Sequence, residues 1–549
     1  MYFQRFYDTK LAQASYLIGC QRTGESIVVD PNRDVQQYVD AATREGLRVT
    51  HVTETHIHAD FVSGARELAE RTDAALVLSA EGGTDWQYAF AAEAGARLVK
   101  DGDHLMVGNI RLDVLHTPGH TPEHISFLVT DTPAGAGPWG ILTGDFVFVG
   151  DVGRPDLLER AAGYAGTMES AARGLFGSLK RFRALPDHLQ VWPGHGAGSA
   201  CGKALGAVPS TTVGYEKLAN WGVAATDEDE FVRAVLDGQP EPPRYFAEMK
   251  RINRQGPRIL GGLPHPRRIA ASALPAVLRT DAVVVDTRAA GEFARGHVPG
   301  TLNIPLDERF TTWAGWLVPY DRELFLLVDD AACTHCVETA VRDLTLIGLD
   351  RISGIFGTDA LAAWRGAAGH LDSVVKSTTS EVAGILGRGD ATVVDVRGRA
   401  EWAAGHLPGA MNIPLGELAE RLGEIPTDRP VIVQCQSGAR SAIAASVLQG
   451  LGRTDVRDLV GGIEAWQRAG DPIEQGALEE LASDGAAPVS VQDPRHHVRT
   501  SGSPSRESAN DDGRASSRAN TPEAMASTAS APSTPDHTVD GSRATSRSR

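Results

Sequence analysis

The sequence predicts a multidomain α/β protein with a disordered C-terminal tail, and three observations predict it. Short apolar runs such as "LRVTHVTE" and "NIRLDVL" read as strands and alternate with helix-patterned stretches such as "ARELAERT". The stretch "VVVDTRAAGEFARGHVPGTLNIPLDE" (283–308) recurs as "VVDVRGRAEWAAGHLPGAMNIPLGE" (393–417), with Asp286 returning as Asp395, so one domain is duplicated. Past Trp466 there is no further aromatic residue, and from 484 to 549 the chain is mostly Ser, Arg, Ala, Pro and Thr, too poor in apolar side chains to offset chain entropy.

The length of 549 residues fits about three ordinary domains before the tail. A formal charge of -17 argues against nucleic acid or an anionic membrane surface as the main partner. Five cysteines (Cys20, Cys201, Cys333, Cys336 and Cys435) are too few and too dispersed for a disulfide framework, which points to a reducing, cytoplasmic setting. Leu17-Ile18-Gly19-Cys20 has the look of a lipoprotein cleavage site. However, Arg5, Asp8 and Lys10 precede it and no apolar leader is present. No run approaches the roughly 20 apolar residues of a membrane span.

Within residues 1–250 the strands end on chemistry. "LRVTHVTE" runs into His56, His58 and Asp60; "NIRLDVL" runs into "HTPGHTPEH" with His120; "WGILTGD" stops at Asp145; "LQVWPGHG" stops at His195. Loops are polar anyway, and a single histidine there would mean little. Four clusters placed alike, just past strand ends, point to convergence at one sheet edge.

This order of motifs, H-x-H-x-D, a lone His in "TPGHT", "TGD" and "PGH", resembles the metallo-β-lactamase superfamily, an αββα sandwich with metal at its sheet edge. The usual pattern is H-x-H-x-D-H, and here the last position is Phe61, which has no lone pair for a second metal. The branch with one iron, the persulfide dioxygenases, is the better match. It implies a single Fe(II) per chain on His56, His120 and Asp145, a facial triad suited to O2. His58, Asp60 and His195 would then orient ligands and bound water. The stretches "GHGAGSACGKALGAVP" and "VGDVGRPD" are similar to persulfide dioxygenase–rhodanese fusions of bacterial sulfide oxidation. That likeness lifts Cys201 to a catalytic candidate above the small buried hydrophobe a free cysteine most often is. Arg154 is a candidate for a substrate anion, with a surface ion pair as the alternative.

"PVIVQCQSGARS" delivers Cys435 from a strand into a short loop ahead of a helix and resembles rhodanese, an α/β sulfurtransferase. Backbone N–H groups of Gln436, Ser437, Gly438 and Ala439, with Arg440 and Ser441 closing the loop, would stabilise an anionic sulfur on Cys435. Four residues between Cys435 and Arg440, rather than five, favour sulfur over phosphate. The resemblance implies an inactive rhodanese-like domain at 264–372 and an active one at 373–478. In the first copy strand matching puts Asp329 at the nucleophile position and helix matching puts Cys333 there. Cys333-Thr334-His335-Cys336 is a lone C-x-x-C, open to metal binding, redox cycling or no role.

The implied activity is oxidation of a low-molecular-weight or protein persulfide by O2 to sulfite, with thiosulfate formed or used through a Cys435 persulfide. The rivals are a dinuclear-zinc, glyoxalase-II-like thiolester hydrolase and a non-catalytic sulfur carrier. A symmetric homo-oligomer is expected from the size.

Overall fold

The computed structural model describes residues 1–160, 166–203, 205–239 and 241–476, so the tail at 484–549 lies outside the described residues. Its first part holds two six-stranded sheets. The first runs in order through β1 (Tyr2–Asp8), β2 (Gln13–Cys20), β3 (Glu25–Val29), β4 (Arg48–Thr53), β5 (Ala75–Ser79) and β6 (Arg97–Val99). The second contains β7 (His104–Val107), β8 (Ile110–His116), β9 (Ile125–Asp131), β10 (Gly140–Gly144), β11 (Gln190–Pro193) and β12 (Thr211–Thr212).

Side-chain alternation explains the layering. On β2, Ala14, Tyr16 and Ile18 point inward with Ile27 and Val29 of β3 and meet Leu105, Leu112 and Phe127 of the second sheet. Leu17 and Val28 point the other way, onto Tyr38, Ala41 and Leu68 of the helices Gln36–Arg44 and Ala65–Thr72. The second sheet's outer face packs Ile141 and Val191 on Phe176, Leu179 and Phe231 of the helices Met168–Arg183 and Glu228–Leu236. Helix, sheet, sheet and helix therefore stack as the αββα expectation requires.

The repeated stretches lie in two parallel sheets. A parallel sheet ordered β14 (Leu302–Asn303), β13 (Val283–Asp286), β15 (Leu324–Val328), β16 (Ile352–Gly357) is followed by a second. That one is ordered β19 (Met411–Asn412), β18 (Thr392–Asp395), β20 (Val431–Gln434), β21 (Val456–Leu459), β17 (Val375–Ser377). Where β17 flanks β21, a single parallel bridge from Arg268 to Ile355 flanks β16.

Register corrects both alignments of the first copy. Asp286 pairs with Leu327 as Asp395 pairs with Gln434, and Thr287 donates to the Leu327 carbonyl as Val396 donates to that of Gln434. Val328, fully buried, therefore occupies the position of Cys435, and neither Asp329 nor Cys333 does. The strand carries an apolar core residue one step earlier than sequence matching allowed.

Phe61 belongs to a core that the first part shares with the first parallel sheet. Its cluster includes Val62, Tyr245, Phe246 and Met249 together with Leu326, Val341 and Leu344. The Val62 N–H donates to the Leu346 carbonyl (2.7 Å), Lys10 bonds Asp343 (2.5 Å), and Arg342 bonds Asp8 and Asp34 (2.7 and 2.8 Å). Phe61→Ala should lower stability by about 3–5 kcal/mol, the range for emptying a buried phenylalanine site. Urea unfolding monitored by circular dichroism checks this, and a loss under about 1 kcal/mol would show that the site collapses around the gap.

Candidate active sites

Chain direction brings the expected ligands to one edge. β3 and β4 run parallel, as do β10 and β11, so the segments after Val29, Thr53, Gly144 and Pro193 emerge on the same side. The Ile125 N–H donates to the Thr55 carbonyl (2.8 Å) and the Ala14 N–H to the Gly194 carbonyl (2.7 Å), tying the two sheets together there. Gly194 admits the close approach, because a Cβ there would sit 2.6 Å from Asp145 Oδ1.

His56, His120 and Asp145 converge, with one ligand-type atom from each within 4.8 Å of the others. His120 Nε2 is 3.5 Å and His56 Nε2 3.8 Å from Asp145 Oδ2. The His120 Nδ1–H donates to the Arg154 carbonyl (3.1 Å), and His56 Nδ1 is paired with Thr55 Oγ1 (3.0 Å), so both Nε2 atoms are turned into the cluster. His56 Nε2 and both Asp145 oxygens are buried without a hydrogen-bond partner. Buried polar atoms are seldom left so. Burial holds His120 at about 4 and His56 well below the ordinary range. Burial opposes the Asp145 carboxylate, but the charge of His195 beside it outweighs burial and holds it well below the ordinary carboxylate range. Two neutral imidazoles and one carboxylate, all desolvated, are a donor set fitted to a divalent cation.

The remaining expected residues take different places. His195 donates through Nδ1–H to the Ala12 carbonyl (3.0 Å) and aims Nε2 at Asp60 (3.2 Å) and Asp145 (3.4 Å). His58 turns away to Asp30 (3.2 Å). Burial disfavours its charged form, but this hydrogen bond and the Asp30 charge raise it to about 9. Phe61 lies tilted against that same imidazole, ring centroids 4.4 Å apart.

Arg154 departs from the substrate role expected of it. Its buried guanidinium donates to Asp156 from Nε (2.8 Å) and Nη2 (2.7 Å) and to the Ala200 carbonyl from Nη1 (3.1 Å). Meanwhile its own carbonyl holds His120. The residue braces a ligand instead of meeting solvent.

Cys201 lies with Asp60 and His195, again with ligand-type atoms within 4.8 Å. Burial, with the Asp145 and Asp60 charges, pushes its thiol up to about 12. The thiol is buried beside Asp60 and His195, and a catalytic role for Cys201 stays an expectation. Iodoacetamide at pH 8 should leave Cys201 unmodified in the folded protein and alkylate it after denaturation, as peptide mass analysis would show. Cys20 is elsewhere: it pairs with Glu25, at the end of β3 opposite Asp30.

Three residues that sequence reasoning did not assign complete the setting. Asp30 accepts from the Thr55 N–H (2.6 Å), Glu123 from the Ile57 N–H (2.8 Å), and His124 Nε2 from the Asp145 N–H (3.1 Å). The adjacency of Glu123 and His124 to His120 in "HTPGHTPEH" was the available signal.

In the last domain Cys435 sits directly after β20, with the Gly438 N–H donating to its Sγ (3.1 Å) and its own S–H directed at Ser441 Oγ (3.6 Å). Gly462, at φ +56°, lets the following turn lie against the loop, so that the Ile463 N–H reaches the Cys435 carbonyl (2.8 Å) and the Glu464 N–H that of Gln436 (3.1 Å). Arg440 is held by Glu401 through two 2.7 Å hydrogen bonds. Ser437 and Ala439 are exposed at the loop mouth, and Gln436 is half-buried.

Residues 8–195 match the Metallo-beta-lactamase superfamily and residues 378–469 the Rhodanese-like domain. A metallo-beta-lactamase crystal structure from Staphylococcus aureus is 44% identical, covers 65% of this chain and 98% of its own, and superposes with a TM-score of 0.58. A sulfurtransferase of Allochromatium vinosum is 45% identical over 84 residues, 15% of this chain and 78% of that protein. The mitochondrial persulfide dioxygenase ETHE1 of Bos taurus is 24% identical over 197 residues, 35% of this chain and 67% of that protein. The chain spans 61% of the length of curated beta-lactamase hydrolase-like proteins of Xylella fastidiosa. No described helix is long and apolar enough to cross a membrane.

Proposed function

As the chain belongs to the metallo-β-lactamase superfamily and carries a rhodanese-like domain, we propose that it is an iron-dependent persulfide dioxygenase coupled to a sulfurtransferase. The carrying observation is the buried set His56, His120 and Asp145, in which His56 Nε2 and both Asp145 oxygens have no partner, beside a Phe61 that fills the place where a second-metal histidine would stand. Likeness to a persulfide dioxygenase and to a sulfurtransferase supports the substrate class.

Iron(II) on two histidines and a carboxylate keeps coordination positions open for a substrate sulfur and O2, and that is the chemistry the ion supplies when bound. The protein does the rest. Thr55 and the Arg154 carbonyl fix the two imidazoles in the ligating tautomer. Phe61, with its shared core, excludes a second ion and keeps that flank dry. His195 and Asp60 hold a proton beside the cluster for the departing thiolate. The balance is RSSH + O2 + H2O giving RSH, sulfite and two protons. In residues 373–478, Cys435 takes a sulfane sulfur from RSSH, releasing RSH, and passes it to sulfite as thiosulfate. Residues 264–372, with Val328 at the nucleophile position, act as a structural partner of the metal domain.

One observation favours a second reading. Asp60, His195 and Cys201 form another cluster of ligand-type atoms, which suits a two-metal thiolester hydrolase. Elemental analysis of anaerobically purified protein, with O2 uptake on glutathione persulfide, separates the two. One iron per chain with uptake is expected. Two zinc ions without uptake would establish the hydrolase instead.

A further inference from the structure

The domain of the first parallel sheet carries a disulfide. After β15 the chain makes a loop, Asp329–His335, longer than the three residues between Cys435 and the helix Ala439–Gly450 in the second copy. Within that loop and at its exit Cys333 and Cys336 form a disulfide, Cα atoms 5.5 Å apart, while Cys20, Cys201 and Cys435 are free and buried. Both bonded cysteines are half-buried, and Asp330, Ala331, Ala332, Thr334 and His335 around them are exposed. An incoming thiolate can therefore reach the bond without unfolding of the core, which is the access that exchange needs.

Cys336 also opens the helix Cys336–Leu346, which is the element seated on the metal domain. Its last carbonyl, Leu346, receives the Val62 N–H next to Phe61. One turn earlier, Arg342 grips Asp8 and Asp34, and Asp343 grips Lys10. One end of an 11-residue helix is thus a covalent clasp, and the other holds the loop bearing His56, His58 and Asp60.

We propose that Cys333 and Cys336 are a thiol–disulfide exchange site for low-molecular-weight thiols, and that its state is felt at the metal-site loop through this helix. A thiolate RS⁻ attacks one cysteine sulfur and the S–S bond breaks, releasing the other cysteine as thiolate. A second RS⁻ then attacks the mixed disulfide. The net change is one protein disulfide and two RSH giving two cysteine thiols and RSSR, reversible in excess RSSR. Opening removes the clasp from the helix's first turn, so the helix holds Val62 less firmly.

The test uses the full chain in glutathione buffers of varied reduced-to-oxidised ratio, quenched with iodoacetamide and digested. The peptide containing Cys333 and Cys336 is expected to gain two alkyl groups as the ratio rises and to lose them when the ratio is reversed before quenching, with Cys201 unmodified throughout. In parallel, hydrogen exchange of the Val62 amide should quicken about tenfold on reduction, the mark of a locally weakened contact. A Cys333→Ser/Cys336→Ser protein should show the fast exchange in every buffer. A pair that resists alkylation at the highest thiol ratio, or that stays alkylated under excess oxidised glutathione, would overturn the proposal. So would an exchange rate at Val62 indifferent to the bond. None of these readouts requires iron or turnover, so they stand apart from the dioxygenase assignment.

Discussion

Alanine in place of His120 is expected to yield folded protein with no iron and with O2 uptake on glutathione persulfide reduced by about 10³-fold or more, since even outer partners of metal ligands cost 10–100-fold. The geometry says why this position is decisive. His120 sits on the loop after β8, its Nδ1 fixed by the Arg154 carbonyl and its Nε2 3.5 Å from Asp145, and two neighbouring histidines are engaged elsewhere. His124 is nearest in sequence, but its Nε2 already accepts the Asp145 N–H and its Nδ1 is engaged with Thr117 Oγ1. His58 is committed to Asp30. Elemental analysis and an oxygen electrode measure both effects, with circular dichroism confirming the fold. His120→Ala protein that kept iron and turnover would remove His120 from the ligand set and with it the facial-triad reading.

Much of this was legible because the informative residues are local to strand ends. His56, His120, Asp145 and His195 could be placed together from the runs preceding them, without knowing which strand neighbours which. What needed the fold depends on pairing across long separations. Asp30 closes β3 and meets Thr55 and His58 only because β3 and β4 run parallel. Arg154 looked available for a substrate because its partner Asp156 sits two residues away in a loop whose burial no local pattern reveals. Phe61 was visible as a missing ligand. Its second role, as part of a core with Val341 and Leu344, involves residues some 280 positions later in the chain. Val328 shows the limit of sequence matching between repeats: the two copies differ in loop length after the strand, and only the ladder register fixes which residue faces the nucleophile's neighbours.

Serine at Cys435 should separate the two activities proposed for the chain. The Cys435→Ser protein is expected to consume O2 at the wild-type rate and to accumulate the sulfite that the wild type converts, while thiosulfate formation falls by at least about 10³-fold, as when other covalent catalysts lose their nucleophile. The argument rests on the loop. Its Gly438 N–H is aimed at the sulfur, Ser441 lies beneath it, and Arg440 is anchored by Glu401, so the surroundings survive the exchange of sulfur for oxygen while the atom that can carry a sulfane sulfur is gone. Ser441 cannot substitute, because a hydroxyl does not form a stable persulfide. Anion chromatography of products after a fixed O2 consumption gives both quantities from one sample. Thiosulfate undiminished in that sample would mean that sulfite meets sulfane sulfur somewhere other than Cys435. The rhodanese-like domain would then not be coupled to the metal domain's product.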